Sequence, residues 1–163
     1  MAKENAIVTL TPARLRSACR WLAQRDSALR EVLDAHGYPQ LWNRRPGFST
    51  TVHIILEQQV SLASANATFF RLESKLGGTV TVRSQLTQHK GIGNWTADIY
   101  LSECLLRCDI LPKGDIGVLE AFRVLKGLEV RPANEQLEAL TEHWRPWRSV
   151  ATRMLWHFYL NRR

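Results

Sequence analysis

The sequence predicts an all-α fold. Three observations carry that prediction. Apolar residues recur at three- and four-residue spacing along the 163 residues, while the alternation of half-buried strands is scarce. Helix starts carry capping residues, as at Thr11-Pro12, and helix stops carry glycines, as at Gly37 and Gly77-Gly78. The composition, 45% hydrophobic and 23% charged, suits a globular chain with its own core. One domain over residues 1–163 is expected, without internal repeats or low-complexity tracts.

The elements follow in order. Thr11 caps a helix with Pro12 at its first position and Leu15, Ala18 and Leu22 inward. Asp26 or Ser27 caps a second, with Leu29, Val32 and Leu33 inward and Gly37 as its stop. A basic turn, Asn43 to Gly47, contains Arg44, Arg45 and Pro46. Ser49 caps a third helix ending near Gln58-Gln59, and Ser61 a fourth ending at Gly77-Gly78. Val82 to Gln88 is a short helix, Lys90 to Asn94 a glycine-bearing turn, and Thr96 to Leu106 an apolar helix. A helix then starts at Asp115, another follows Pro132, and the last runs from about Ser149 to Leu160.

Lys and Arg number 22 against 15 Asp and Glu, a net charge of +7 that favours a polyanionic partner. The three cysteines, Cys19, Cys104 and Cys108, do not form a disulfide pattern, and Cys104 and Cys108 lack the second ligand pair of a zinc site. They are expected to fill core space, with no metal held by side chains. No apolar run is long enough to span a bilayer, and Met1 to Leu15 lacks the continuous apolar stretch of a secretory signal. An intracellular protein without a membrane partner is therefore expected.

The most informative stretch lies in the hairpin at residues 82–106, around Lys90-Gly-Ile-Gly-Asn-Trp-Thr-Ala97. Gly91 and Gly93 let the backbone turn tightly and leave no side chain to block a phosphate. The amides of the turn and of the following helix can then face an anion, with Lys90 adding charge. Ile92 can plug the hairpin into the core. An ordinary glycine turn between helices accounts for the same residues on local sequence alone.

Asp115, in Leu111-Pro-Lys-Gly-Asp115-Ile-Gly-Val118, sits where a helix N-cap belongs. The helix dipole suits a carboxylate there, and a carboxylate aimed outward is expected. A plain cap and a catalytic group are both compatible with the position. Arg145, Arg148 and Arg153 form a charge run that either meets phosphates or, by default, solvates a helix face.

Four ordered segments carry a resemblance: Ile54-Ile-Leu-Glu-Gln-Gln-Val-Ser-Leu-Ala63, Lys90 to Ala97, Leu111 to Asp115, and Trp144-Arg-Pro-Trp-Arg-Ser149. Together they resemble the 3-methyladenine DNA glycosylase II (AlkA-like) family of helix-hairpin-helix base-excision glycosylases, from about residue 10 to the C-terminus. The resemblance implies two helical lobes around a DNA cleft. It implies Asp115 as the catalytic carboxylate and Trp95, Tyr100 and Trp156 as the base pocket. Gln58 and Gln59 would fill the gap left by an extruded nucleotide. Lys90, Gly91, Ile92, Gly93 and Thr96 would contact DNA.

The implied activity is a monofunctional glycosylase that excises alkylated purines of the 3-methyladenine type. Its partner would be double-stranded DNA with damaged bases. The enzyme would act as a monomer, in the cytoplasm of a bacterium or the nucleus of a eukaryote. No organic cofactor is implied; relatives often hold a monovalent cation on hairpin carbonyls. Lyase-competent relatives have a lysine where Trp95 stands, so no Schiff base is expected. Neither the four-cysteine cluster of the iron–sulfur branch nor the N-terminal β-rich domain of some members is expected from these residues. It also has few residues between Gly78 and the hairpin helix, where the family places further helices. That shortening supports an alternative, a DNA-binding remnant without catalysis.

Overall fold

A computed structural model describes residues 9–47, 50, 54, 86–88 and 92–162. The described residues are helical, with one isolated bridge between Thr9 and Arg107. The chain divides into two compact units, Met1–Trp42 with Leu106–Arg163, and Asn43–Leu105.

The first unit opens with α1, Pro12–Ala23, and α2, Ser27–His36. Thr11 caps α1, accepting from Arg14 N at 3.2 Å, and Pro12 occupies a position where an amide would have no helical partner. Asp26, rather than Ser27, caps α2. Gly37 ends it at φ +72°, a conformation that suits glycine. The unit continues with α4, Ile116–Leu125, α5, Asn134–Leu140, a 3₁₀ turn Glu142–Trp144, and α6, Arg148–Asn161. The second unit contributes α3, Asn94–Ile99.

The core of the first unit joins Leu15 and Leu22 of α1, Leu29 and Val32 of α2, Val118 and Phe122 of α4, and Val150 and Met154 of α6. Each fully buried side chain of this size stabilises the fold by about 1.5–3 kcal/mol. Trp144 is fully buried and meets Phe122 edge-on at 5.8 Å. Cys19 and Cys108 fill space in this cluster, and burial pushes the Cys19 thiol up to about 12.

Asp26 anchors α4 from its C-terminal end. Its Oδ1 accepts from Ala28 N at 3.0 Å and from Lys126 Nζ at 2.7 Å. Its Oδ2 accepts from Trp144 Nε1 at 2.9 Å and lies 3.2 Å from His143 Nε2. One buried carboxylate therefore ties α2, the end of α4 and the 3₁₀ turn together. Burial alone would raise its carboxyl, but the hydrogen bonds from Lys126 and Trp144, the Lys126 charge and the His143 contact lower it to about 2.

In the second unit the expected helix over Thr96 to Leu106 begins earlier, at Asn94, and does not stay α-helical. Its second half, Tyr100–Cys104, is a π-helical turn. Leu86 and Thr87 are helical, as are Thr50 and Ile54, in keeping with the helices expected there. Arg44 is bound to Glu103 twice, through its amide to the carbonyl at 3.1 Å and its Nε to the carboxylate at 2.5 Å.

Candidate active site

Asp115 occupies the N-cap of α4 with extended backbone angles. Its Oδ1 accepts from Val118 N at 2.8 Å, satisfying one of the amides that the helix start leaves open. The same oxygen accepts from Trp156 Nε1 on α6 at 3.1 Å. Trp42, in the segment after α2, lies over Trp156 with ring centres 5.7 Å apart and planes inclined by 45°. The first unit thus brings a capping carboxylate and two indoles together.

Gly117 keeps a side chain away from that carboxylate. A Cβ there would stand 3.3 Å from Asp115 Oδ1 and 3.6 Å from Trp156 Cδ1, with Tyr159 Cδ1 at 3.7 Å. A glycine in a helix costs about 1 kcal/mol relative to alanine, and here it spares Asp115 Oδ1 a tight contact.

The expectation of an outward-aimed carboxylate is corrected. Asp115 is only 7% exposed. The cap bond turns its oxygen over the first turn of α4, and the Trp156 edge covers it from α6. The carboxylate faces an indole rather than open solvent.

The segment leading to Asp115 is held from α6. Arg148 donates through Nε and Nη2 to the two carboxylate oxygens of Asp109 at 2.6 and 3.0 Å, a bidentate pair, and Arg145 Nη1 donates to the same carboxylate at 2.6 Å. Ser149 Oγ accepts from Ile110 N at 2.9 Å, and Ser149 N donates to Cys108 O at 3.0 Å. Nearer Asp115, Gly114 N donates to Asn134 Oδ1 at 2.8 Å, and Lys113 pairs with Glu138 at 2.8 Å. The default reading as a solvated face is therefore corrected for Arg148 and Arg153, which are buried, while Arg145 is exposed. Arg145 and Arg148 are engaged by Asp109, and Arg153 is fully buried, its Nη1 donating to Ser149 O at 3.1 Å.

The second unit holds the remaining described residues. Ile92 is buried, and Gly93 is exposed as the N-cap of α3, with open space where a Cβ would be. Trp95 and Tyr100 are half-buried. Burial raises the Tyr100 phenol above its ordinary value, as does Cys104, and a backbone hydrogen bond from Gly47 partly offsets this. Thr96 is 1% exposed, so its hydroxyl is not at the surface where a DNA contact was expected. Cys104 is buried, and its thiol is pushed up to about 12. Gln58, Gln59, Lys90 and Gly91 lie outside the described residues.

Trp42 and Gly117 were not expected at the site. Trp42 sits outside any helical period, so no periodicity marks it. Gly117 left a signal, because a glycine just inside a helix is a local cost that close packing can explain. Among the described residues no group of three or more metal-ligating side chains occurs.

No family model matches the chain. Its sequence is 31% identical over 71 residues to a DNA-3-methyladenine glycosylase of Bacillus subtilis, covering 44% of this chain and 23% of that protein. It is 44% identical over 77 residues to a probable bifunctional transcriptional activator/DNA repair enzyme AlkA of Mycobacterium tuberculosis, covering 45% of this chain and 14% of that protein. Over these stretches, a little under half of its length, the chain is similar to AlkA-like DNA glycosylases. The matched stretch spans less than a quarter of either relative's length. The fold agrees: it superposes on the Schizosaccharomyces pombe 3-methyladenine DNA glycosylase Mag1, solved in complex with abasic DNA, with a TM-score of 0.64 at 20% identity. That match covers 86% of this chain and 95% of the other.

Proposed function

We propose that this AlkA-like chain is a monofunctional DNA glycosylase that hydrolyses the N-glycosidic bond of alkylated purines in duplex DNA. The observation that carries the reading is the Asp115 carboxylate at a helix start, bound in-plane by the Trp156 indole. A base inside a duplex must be extruded, at a cost of a few kcal/mol, before any side chain reaches its sugar. Alkylation at a ring nitrogen leaves the purine cationic, so it departs readily and is attracted to aromatic faces. The N–H bond fixes the orientation of Trp156, whose ring has Trp42 as a neighbour at 5.7 Å, so two indoles are offered to a cationic base. As the bond to C1′ breaks, positive charge grows on the sugar, and Asp115 stabilises it and positions the attacking water.

Monofunctional hydrolysis follows from Trp95, which cannot form the imine that strand cleavage requires. A second reading, a DNA-binding remnant without catalysis, is favoured by the small exposure of Asp115. Release of bases from methylated duplex DNA separates the two. Wild-type protein should release 3-methyladenine, and Asp115→Asn should release it at least about 10²-fold more slowly with duplex affinity retained. Duplex binding with no release by the wild type would establish the remnant reading, and equal release by both proteins would remove Asp115 from the mechanism.

A further inference from the structure

The positive charge of this chain is not evenly neutralised. Arg44, Lys113, Arg123, Lys126, Arg131, Arg145, Arg148 and Arg162 each lie within 4.0 Å of a carboxylate. The arginines of α1 do not. Arg14, Arg16 and Arg20 are exposed, as is Arg25 just beyond the helix, and none forms an ion pair among the described residues. Helix α1 contains no acidic residue. Asp26, the acid nearest to it along the chain, is buried and committed to Lys126 and Trp144. Glu31 and Asp34 of α2 are exposed but pair with none of these arginines.

The arginines instead use uncharged acceptors, which leaves their charge in place. Arg14 Nη1 donates to Thr9 O, and Arg25 donates to Trp21 O at 3.2 Å while lying 3.8 Å above its ring. Arg20 reaches Ser17 Oγ at 3.4 Å and Tyr38 Oη at 3.3 Å, which holds its guanidinium beside two further hydroxyl donors. Arg16 makes no such bond to the described residues. Arg16 and Arg20 are one helical turn apart on the exposed side, with Cβ atoms roughly 5–6 Å from each other.

We propose that this face, Arg16, Ser17 and Arg20 with Tyr38, is a contact for the nucleic-acid phosphate backbone, in a different unit from the hairpin. Arginine, serine and tyrosine are among the residue types that donate to phosphate oxygens. Their spacing suits a strand that carries one charge per about 3.4 Å of axis. The choice of duplex DNA as the polyanion rests on the proposed function; the unneutralised arginine face does not.

The test is binding of an undamaged labelled duplex by the 163-residue protein between 50 and 200 mM salt, followed by anisotropy. Removing one arginine–phosphate pair lowers the log–log salt slope by about 1, so Arg16→Gln/Arg20→Gln should lower it by about 2 and weaken binding at every salt concentration. The thermal midpoint should stay at the wild-type value, because both side chains are exposed. Ser17→Ala/Tyr38→Phe should give a smaller loss of affinity without changing the slope. A slope and affinity equal to wild type in the double arginine variant would overturn the proposal, as would a wild type that binds no duplex. Competition by polyglutamate as strong as by unlabelled DNA at equal charge would overturn the assignment to phosphate. Base release, scored in the same samples, reports on the glycosylase reading separately.

Discussion

Trp156 Nε1 donates to Asp115 Oδ1 across 3.1 Å, and the same oxygen holds Val118 N at 2.8 Å. One carboxylate oxygen therefore closes the first turn of α4 and fixes the tilt of an indole on α6. Structural capping and the proposed chemistry share one carboxylate, so changes to either partner should be felt in both stability and activity.

Trp156→Phe keeps an aromatic face and deletes the N–H. A hydrogen bond to a charged group contributes about 1.5–3 kcal/mol, so a drop in stability of that order is expected. Base release should slow mainly in kcat, because the ring that would stack on the purine remains. Denaturant unfolding and single-turnover base release check this. A loss confined to KM would show that the bond does not align the carboxylate.

Gly117→Ala opposes two effects. The helix gains about 1 kcal/mol from the better helix former, while a Cβ 3.3 Å from Asp115 Oδ1 requires the carboxylate to yield by a few tenths of an ångström. Misplacement by 1 Å can cost about 10²-fold in rate, so a loss of roughly three- to tenfold is expected. Stability should change by less than about 1 kcal/mol. Wild-type rates in this variant would show that the Asp115–Trp156 spacing is not critical.

Asp26 predicts a specific acid sensitivity. Its carboxyl is lowered from 3.8 to about 2, so its contribution is fully present above the higher value and is lost as pH falls through the lower one. Unfolding free energy of the wild type should fall by about 2 kcal/mol more than that of Asp26→Asn between roughly pH 4 and pH 2. At neutral pH the variant should be the less stable protein, although asparagine retains the cap. Urea titrations at three pH values measure both effects, and parallel pH profiles would contradict the assignment.

Arg148→Met should strand Asp109 and loosen the segment that delivers Asp115. Removing one partner of a largely buried pair costs about 3–5 kcal/mol in full burial, and Asp109 keeps Arg145 and some solvent, so a loss of about 2 kcal/mol is expected. Base release should fall more than duplex affinity. Thermal unfolding and binding on the same preparation distinguish this from a phosphate-contact role, which would lower the salt slope of binding by about 1.

The caps at Thr11, Asp26 and Asp115 and the stop at Gly37 were legible in the sequence, and with them the order of the helices in the first unit. Capping joins residues two to three apart, as in Thr11 to Arg14 and Asp115 to Val118, so a short window contains both partners. The sequence could nominate Asp115 and Trp156, but their bond spans 41 positions and depends on how α4 meets α6. The same holds for Asp26 and Trp144, 118 positions apart, and for the pairing of Arg148 with Asp109. Trp42 carries no periodic signal at all, and only packing against Trp156 gives it a place at the site. Local backbone chemistry decided where the helices begin and end. Burial decided which polar groups had to find each other, because a buried carboxylate or guanidinium must be satisfied by whatever partner the packed helices supply.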